Sequence, residues 1–144
     1  MSQSFSLNDS HLLMGIMRLR RDVRGNHFLP TPVDDSVLDK LLTAALHAPS
    51  VGYSQPWQFV VIRSDKVKQQ VQQSFLQANI AGQAQFTGDK NAQYSKLKLE
   101  GILEAPVNLA VFYQPQSTPV LGQTSMPDMG RFSVVCAIQN LWLM

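Results

Sequence analysis

The chain has 144 residues, of which 44% are hydrophobic and 15% are charged, with 12 Lys and Arg residues against 10 Asp and Glu residues. This length suits a single domain and the composition excludes a disordered chain, while the near balance of charge gives no field that would favour nucleic acid. No apolar run reaches the roughly 18 residues of a membrane-spanning helix, and the polar start is not a secretory signal, so we expect a cytoplasmic protein with no membrane partner.

Two amphipathic helices are predicted in the first third of the chain. The first begins at an N-cap among residues 8–10 and continues through an apolar stripe into the arginines of residues 18–24. Gly25 breaks it. The second begins at residues 34–35, whose two aspartates suit a helix N-terminus, and Pro49 ends it.

The remainder of the chain alternates between strands and helices. Two runs rich in β-branched and aromatic residues, WQFVVIR at 57–63 and VNLAVFY at 107–113, predict strands that are covered on both faces. Between and after them the apolar spacing predicts helices from Asp65 to about Phe86, from about Asn91 to Leu103 and over residues 131–144, with a long loop at 114–130.

The last predicted helix has no terminating signal. It is apolar enough to be largely buried, and Cys136 within it is expected to be a core thiol rather than a nucleophile. No glycine or basic residue closes the helix after Asn140, and two strands form a poor sheet on their own. We therefore expect residues 1–144 to be the N-terminal portion of a single larger domain, with further strands supplied by additional sequence or by a partner.

The densest charged segment, RLRRDVR at 18–24, holds four of the six arginines. On a continued helix Arg20 lies i,i+4 from Arg24 and Arg21 lies i,i+3 from it, so their guanidinium groups could converge on one anion such as a phosphate. The other interpretation is a solvated helix end in which Asp22 offsets the positive charge. The spacing alone leaves both interpretations open.

The segment HAPSVGYSQPW at 47–57 joins a helix end to a strand. Its small hydroxyl residues and Gly52 allow the main chain to approach a ligand, as in a loop that holds a flat polar ring, although the same residues also make an ordinary turn. The three histidines and Cys136 lack metal-ligand spacing, and no glycine-rich phosphate loop or nucleophile motif occurs. No metal site is predicted.

Four motifs follow one another in the chain: RRDVR at 20–24, APSVGYSQPW at 48–57, LKLEGI at 97–102 with EAP at 104–106, and AIQNLWL at 137–143. Together they resemble the flavin-dependent nitroreductase superfamily, and within it the 5,6-dimethylbenzimidazole synthase branch. The resemblance implies an α+β fold, a nitroreductase-like three-layer α-β-α sandwich that is incomplete at its C-terminus here.

The resemblance also implies an FMN site. The phosphate and ribityl chain would be held by the RRDVR segment, the flavin ring would be contacted by the loop after the second helix, and one leucine would pack beside the cofactor; the residues are Arg20, Arg21, Asp22, Val23, Arg24, Pro49, Ser50, Gly52 and Leu99.

Asp22 is the candidate catalytic residue. Much of the superfamily has serine at this position, whereas the branch that this chain resembles has an aspartate implicated in proton transfer. A carboxylate among arginines is expected to stay ionised near neutral pH and could act as a general base beside a ribityl hydroxyl. The alternative is that Asp22 only orients Arg21 or Arg24.

The implied reaction is the oxygen-dependent fragmentation of reduced FMN to 5,6-dimethylbenzimidazole, the lower ligand of vitamin B12, with erythrose 4-phosphate as by-product. FMN is then more substrate than cofactor, and NAD(P)H would enter through a separate flavin reductase or by weak direct reduction. Relatives form intertwined homodimers with the flavins between subunits. They also have arginine where this chain has Gln123, and they continue beyond its last residue into a GVGWVS segment. Two alternatives remain: a general NAD(P)H-dependent nitro- or quinone reductase, and a non-catalytic truncated flavin-binding remnant.

Overall fold

The computed structural model describes residues 4–95, 100–122 and 124–144. Their contacts form two compact units. The first comprises Met1–Asp22, Asp35–Gln58 and Val111–Met144, and the second comprises Val23–Asp34 and Phe59–Ala110. That residues 1–144 form a single domain stays a prediction.

Helices alternate with two strands along the described residues. In chain order the elements are α1 Leu7–Leu19, α2 Asp35–Leu46, β1 Trp57–Ile62, α3 Asp65–Gln83, α4 Gly88–Ser95, β2 Asn108–Tyr113 and α5 Met129–Leu143, with short 3-10 helices at Gly25–His27 and Val51–Tyr53. Strands β1 and β2 pair in a small antiparallel sheet. The N–H of Gln114, just after β2, donates to the carbonyl of Pro56, just before β1, at 2.9 Å. The predicted strands and the α+β class are confirmed. The expectation that both faces of the strands are covered is wrong, because Val60 and Val61 of β1 and Phe112 of β2 are exposed.

The N-terminus of α1 lies earlier than its sequence pattern predicts. Ser6 is the N-cap, so the predicted cap among residues 8–10 is wrong. The Ser6 hydroxyl accepts a hydrogen bond from the Asp9 N–H, and the Asp9 carboxylate accepts one from the Ser6 N–H at 2.8 Å. This reciprocal capping box satisfies two N–H groups that a later start would leave unpaired, and it holds the pKa of Asp9 below its usual value.

Helices α2 and α5 pack together in the core of the first unit. The buried apolar residues are Leu38 and Ala45 on α2 and Val134 and Ala137 on α5. At the far end of the pair, the Asn140 side chain donates to the carbonyl of Ala44 at 3.1 Å. The apolar contacts hold α5 against α2, and the Asn140 bond adds to the stability of the pair.

The expectation that α5 is largely buried, with Cys136 as a core thiol, is wrong. Cys136 is exposed, and Phe132 and Val135 are 58% and 60% exposed. These residues lie on the side of the helix away from the stripe of Val134 and Ala137 that packs on α2. An apolar sequence did not distinguish the packed stripe from this outer stripe.

In the second unit, the segment of residues 101–106, just before β2, is held by Lys68 of α3. Lys68 is only 5% exposed, and its Nζ donates to the carbonyls of Ala105 and Pro106 at 2.8 and 3.2 Å. Within the segment, the Gly101 N–H donates to the Glu104 carboxylate at 2.6 Å, which lowers the pKa of Glu104. The segment is therefore pinned at several backbone positions.

The predicted helix from Asn91 to Leu103 is wrong in both bounds. Helix α4 begins earlier, at Gly88, and its described residues run to Ser95. Residues 96–99 lie outside the described residues, and residues 101–106 form turns and bends. Gly101 has φ +129°, a conformation that no helix contains.

Candidate functional site

The arginine segment does not continue α1. The helix ends at Leu19, and Arg20 adopts φ −52° and ψ 133°, so the predicted i,i+4 relation between Arg20 and Arg24 on a helix is wrong. The cause is local. The Arg21 side chain turns back, and its Nη1 donates to the carbonyls of Arg18 and Arg20 at 2.8 Å each. It thereby satisfies carbonyls that a longer helix would have bonded.

Arg20 is directed towards the end of α5. Its Cζ lies 5.5 Å from the centre of the Trp142 ring, within the range of a cation–π contact. Among the described residues, no carboxylate forms an ion pair with Arg20. An aromatic face thus orients the guanidinium.

The other residues of the RRDVR segment are divided between the two units. Asp22 is exposed and closes a segment of the first unit. Val23 and Arg24 belong to the second unit, in which Arg24 is the N-cap of the 3-10 helix Gly25–His27. Leu99 lies outside the described residues.

The loop at residues 49–55 is strained. Pro49 and Gly52 are exposed and Ser50 is half-buried. Three residues of the loop have positive φ: 53° at Gly52, 52° at Tyr53 and 43° at Gln55. Residues other than glycine in this region cost on the order of 1–3 kcal/mol each, and such strain concentrates where a main chain is presented to a ligand.

Contacts from elsewhere in the first unit hold the loop in this shape. The Val51 N–H donates to the buried hydroxyl of Ser133 at 3.1 Å, and the Gln116 side chain donates to the carbonyl of Ser54 at 2.7 Å. A Cβ on Gly52 would lie 2.6 Å from Val120 Cγ1, so the loop also packs closely on the chain after β2.

Ser54 turns its hydroxyl inward. The residue is 7% exposed, and its hydroxyl has no hydrogen-bond partner among the described residues. It lines a cavity of about 20 Å³ together with Tyr113 and Gln116. That volume suffices for one water molecule, which these polar side chains can bind.

Helix α5 supports both parts of the candidate site. Ser133 holds the loop near the start of the helix, and Trp142 contacts Arg20 at its end. The two residues are about two and a half turns apart, roughly 13 Å along the axis, and therefore face opposite sides of the helix. Sequence reasoning missed both supporting residues, although a serine within the apolar run FSVVCAI was a visible signal for Ser133.

The model of the nitroreductase family matches residues 17–144. The chain belongs to the nitroreductase family. It is 41% identical over 133 residues to the 5,6-dimethylbenzimidazole synthase of Rhodospirillum rubrum, covering 91% of this chain and 62% of that protein. It is 37% identical over 142 residues to a synthase of the same name from Rhodobacter capsulatus, covering 97% and 68%. The chain thus spans about two-thirds or less of these relatives' length.

Solved structures of two flavin-binding proteins have the same fold. An iodotyrosine deiodinase bound to FMN and 3-iodo-L-tyrosine superposes with a TM-score of 0.71 at 24% identity, covering 91% of this chain and 67% of that one. A BluB-like flavoprotein from Clostridium difficile 630 superposes with a TM-score of 0.68 at 24% identity, covering 91% and 68%. The nitroreductase-like fold predicted from the four motifs is confirmed.

The described residues contain neither a membrane-spanning helix nor a metal-binding cluster. No helix there combines the length and the apolar character needed to cross a membrane. Over the same residues, no group of three or more His, Cys, Asp or Glu side chains is arranged to hold a metal ion.

Proposed function

We propose that the chain is the FMN-binding part of a 5,6-dimethylbenzimidazole synthase, a flavin-dependent oxidoreductase that fragments reduced FMN with oxygen. The observation that carries the proposal is Arg20, a cation oriented by Trp142, in a chain 41% identical to a protein of that name. An oriented guanidinium is the group that proteins use to bind a phosphate.

The residues present fit FMN, which has a flat ring at one end, a phosphate at the other and a ribityl chain between them. Arg20 suits the phosphate, because a guanidinium binds a doubly charged oxyanion through charge-assisted hydrogen bonds. The strained loop suits the ring, because Gly52 lets the main chain come close to a flat surface. Bound FMN supplies both the electrons and the carbon skeleton of the product.

Each implied site residue keeps a role in this proposal. Arg20 binds the phosphate, and Arg21 and Arg24 bind the phosphate and the ribityl hydroxyls. The remaining residues line the ribityl chain or the ring: Val23, Pro49, Ser50, Gly52 and Leu99. Oxygen is the second substrate, and NAD(P)H acts through a separate flavin reductase or by weak direct reduction.

Asp22 is the proposed acid/base. It is exposed, so its carboxylate can reach a ligand held by the neighbouring arginine, and it would accept the proton of a ribityl hydroxyl. A carboxylate contributes little to holding a phosphate, because like charges repel. Asp22 is therefore assigned to proton transfer rather than to binding.

Replacing Arg20 should weaken the binding of FMN far more than that of riboflavin, which lacks the phosphate. We expect the Kd of FMN to rise about 10- to 100-fold in Arg20→Leu, the effect of one lost charge-assisted hydrogen bond, while the Kd of riboflavin stays unchanged. Fluorescence titration with both flavins measures this. Arg18→Leu removes the same charge two residues earlier and should leave both Kd values near wild type. Equal losses for the two flavins in Arg20→Leu would refute the assignment.

We also propose that the chain acts as a homodimer. The loop and Arg20 lie on opposite sides of α5, so a flavin between two copies could meet the loop of one and the arginine of the other. The outer stripe of α5, with Phe132, Val135 and Trp142 more than half exposed, supplies apolar surface for such an interface.

A charge on this stripe should separate the subunits. In Val135→Glu we expect the dimer dissociation constant to rise at least about 10-fold, because a carboxylate would be buried without a partner. Analytical ultracentrifugation over a concentration series gives the constant. Gln69→Glu, which adds the same charge at an exposed position of α3 and outside this stripe, is the control for net charge. A wild-type chain that stays monomeric at high concentration would contradict the dimer.

The main alternative is a general NAD(P)H-dependent nitro- or quinone reductase, favoured by the match to the nitroreductase family over residues 17–144. Such an enzyme would turn over NAD(P)H steadily and leave FMN intact. A non-catalytic remnant would bind FMN as a stable dimer without reacting. The fate of the bound FMN separates all three.

A further inference from the structure

Ser133 stands out among the buried residues of α5. It is 5% exposed and lies in the packed stripe beside Val134 and Ala137, where its neighbours are apolar. A hydroxyl in such a position destabilises the fold unless it is hydrogen-bonded. Its bonds therefore indicate why the position carries a serine.

Both hydrogen-bonding functions of the Ser133 hydroxyl are in use. Its O–H donates to the carbonyl of Met129, one turn earlier, at 2.8 Å. With the proton fixed there, a lone pair of the oxygen accepts the N–H of Val51 at 3.1 Å. The serine thus ties the Val51 peptide to the rigid backbone of α5 across 82 residues of sequence.

Further hydrogen bonds connect the Val51 peptide to the residues next to it in the loop. The Tyr53 N–H donates to the carbonyl of Ser50 and the Ser54 N–H donates to that of Val51, while the Gln55 N–H donates to the Ser50 hydroxyl. These bonds are internal to the loop. Fixing the Val51 peptide therefore fixes the orientation of the main chain from Ser50 to Ser54.

We propose that Ser133 is a positioning residue for the flavin ring: it holds the Val51 peptide so that the Ser50–Gly52 main chain meets the ring edge in one orientation. This inference rests on the proposed FMN site. It adds a residue that does not touch the flavin and acts on the ring end alone, independently of the arginine at the phosphate end.

The matched variants are Ser133→Thr and Ser133→Val, which have nearly the same shape and differ in the hydroxyl. We expect Ser133→Thr to bind both FMN and riboflavin within about 3-fold of wild type. Ser133→Val should bind both about 10-fold more weakly, because the Val51 N–H loses its acceptor. It should also shift the visible absorption bands of bound flavin, a signature that a purely structural role would not produce.

Asn140→Ala is the control for the packing of α5. It removes the side-chain hydrogen bond from α5 to the carbonyl of Ala44, so it should lower Tm but leave both flavin affinities and the absorption bands unchanged. The inference is overturned if Ser133→Val binds flavins as Ser133→Thr does, or if Asn140→Ala weakens flavin binding equally. Failure of the wild-type chain to bind any flavin would instead overturn the proposed function, and the inference with it.

Hydrogen exchange supplies the test if Ser133→Val does not fold. The Val51 amide should exchange slowly in the wild type and in Ser133→Thr, and more slowly still with bound riboflavin. If the Val51 amide exchanges as fast as an unprotected loop amide in both the wild type and Ser133→Thr, the proposed bond to Ser133 does not hold the loop.

Discussion

Asp22→Asn is expected to bind FMN at least as tightly as the wild type and to form 5,6-dimethylbenzimidazole at least about 100-fold more slowly. Tight binding follows because the substitution removes a negative charge beside the arginines proposed to bind the phosphate. The loss of rate follows because positioned acid/base groups contribute roughly 10²- to 10⁴-fold and an amide cannot accept the proton. Single-turnover product formation, after binding has been measured separately, gives both numbers.

The control for this substitution is Asp39→Asn, which makes the same charge change at an exposed position of α2. It should keep both affinity and rate. Asp22→Glu, which retains a carboxylate, should recover part of the rate with an altered pH profile. A normal rate of product formation in Asp22→Asn would reduce Asp22 to an orienting partner of the arginines, which is the alternative that the sequence left open.

Among glycine-to-alanine substitutions, Gly25→Ala should produce the largest loss of stability. A Cβ at this buried position would lie 2.6 Å from the backbone carbon of Glu100 and 2.8 Å from the Cα of Gly101, and backbone atoms cannot move aside as a flexible side chain can. We expect a loss of about 3 kcal/mol in the free energy of unfolding, or roughly 6–12 °C in Tm.

Gly15→Ala is the matched control. Gly15 lies inside α1, and a Cβ there would meet nothing within 4 Å, so alanine should be neutral or stabilise the helix by up to about 1 kcal/mol. Thermal unfolding followed by circular dichroism compares the two. Equal Tm values would contradict the close approach of residues 25 and 101. Because Gly25 follows Arg24, the unfolding measurement should be accompanied by an FMN titration.

The elements that local chemistry determines were predictable from the sequence. Strand β1 occupies Trp57–Ile62, one residue short of the prediction. It was predictable because its run of β-branched and aromatic residues favours a strand over a helix. Helix α3 begins at the predicted Asp65. In each case the deciding residues lie within the element itself.

The features that sequence reasoning missed depend on side chains acting elsewhere. Arg21 ends α1 by bonding carbonyls behind it, which the charge pattern could not distinguish from a continuing helix. The exposure of Cys136 depends on which stripe of α5 faces α2. The bond between Ser133 and Val51 joins residues that no local pattern connects.

The four motifs fixed the family and the fold, yet the roles of individual site residues rest on proposals. The structure separates the proposed site residues into two groups. Arg20 sits at one end of α5 and the strained loop at the other, each with its own supporting residue. The phosphate end and the ring end can therefore be tested separately, with FMN and riboflavin as the two probes.

The most direct test of the central claim is the fate of reduced FMN. The wild-type chain is loaded with FMN, reduced without oxygen and then exposed to air, and the products are separated by liquid chromatography with mass detection. The account predicts 5,6-dimethylbenzimidazole together with erythrose 4-phosphate, at the expense of FMN. Quantitative recovery of reoxidised FMN, with no benzimidazole formed, would contradict it.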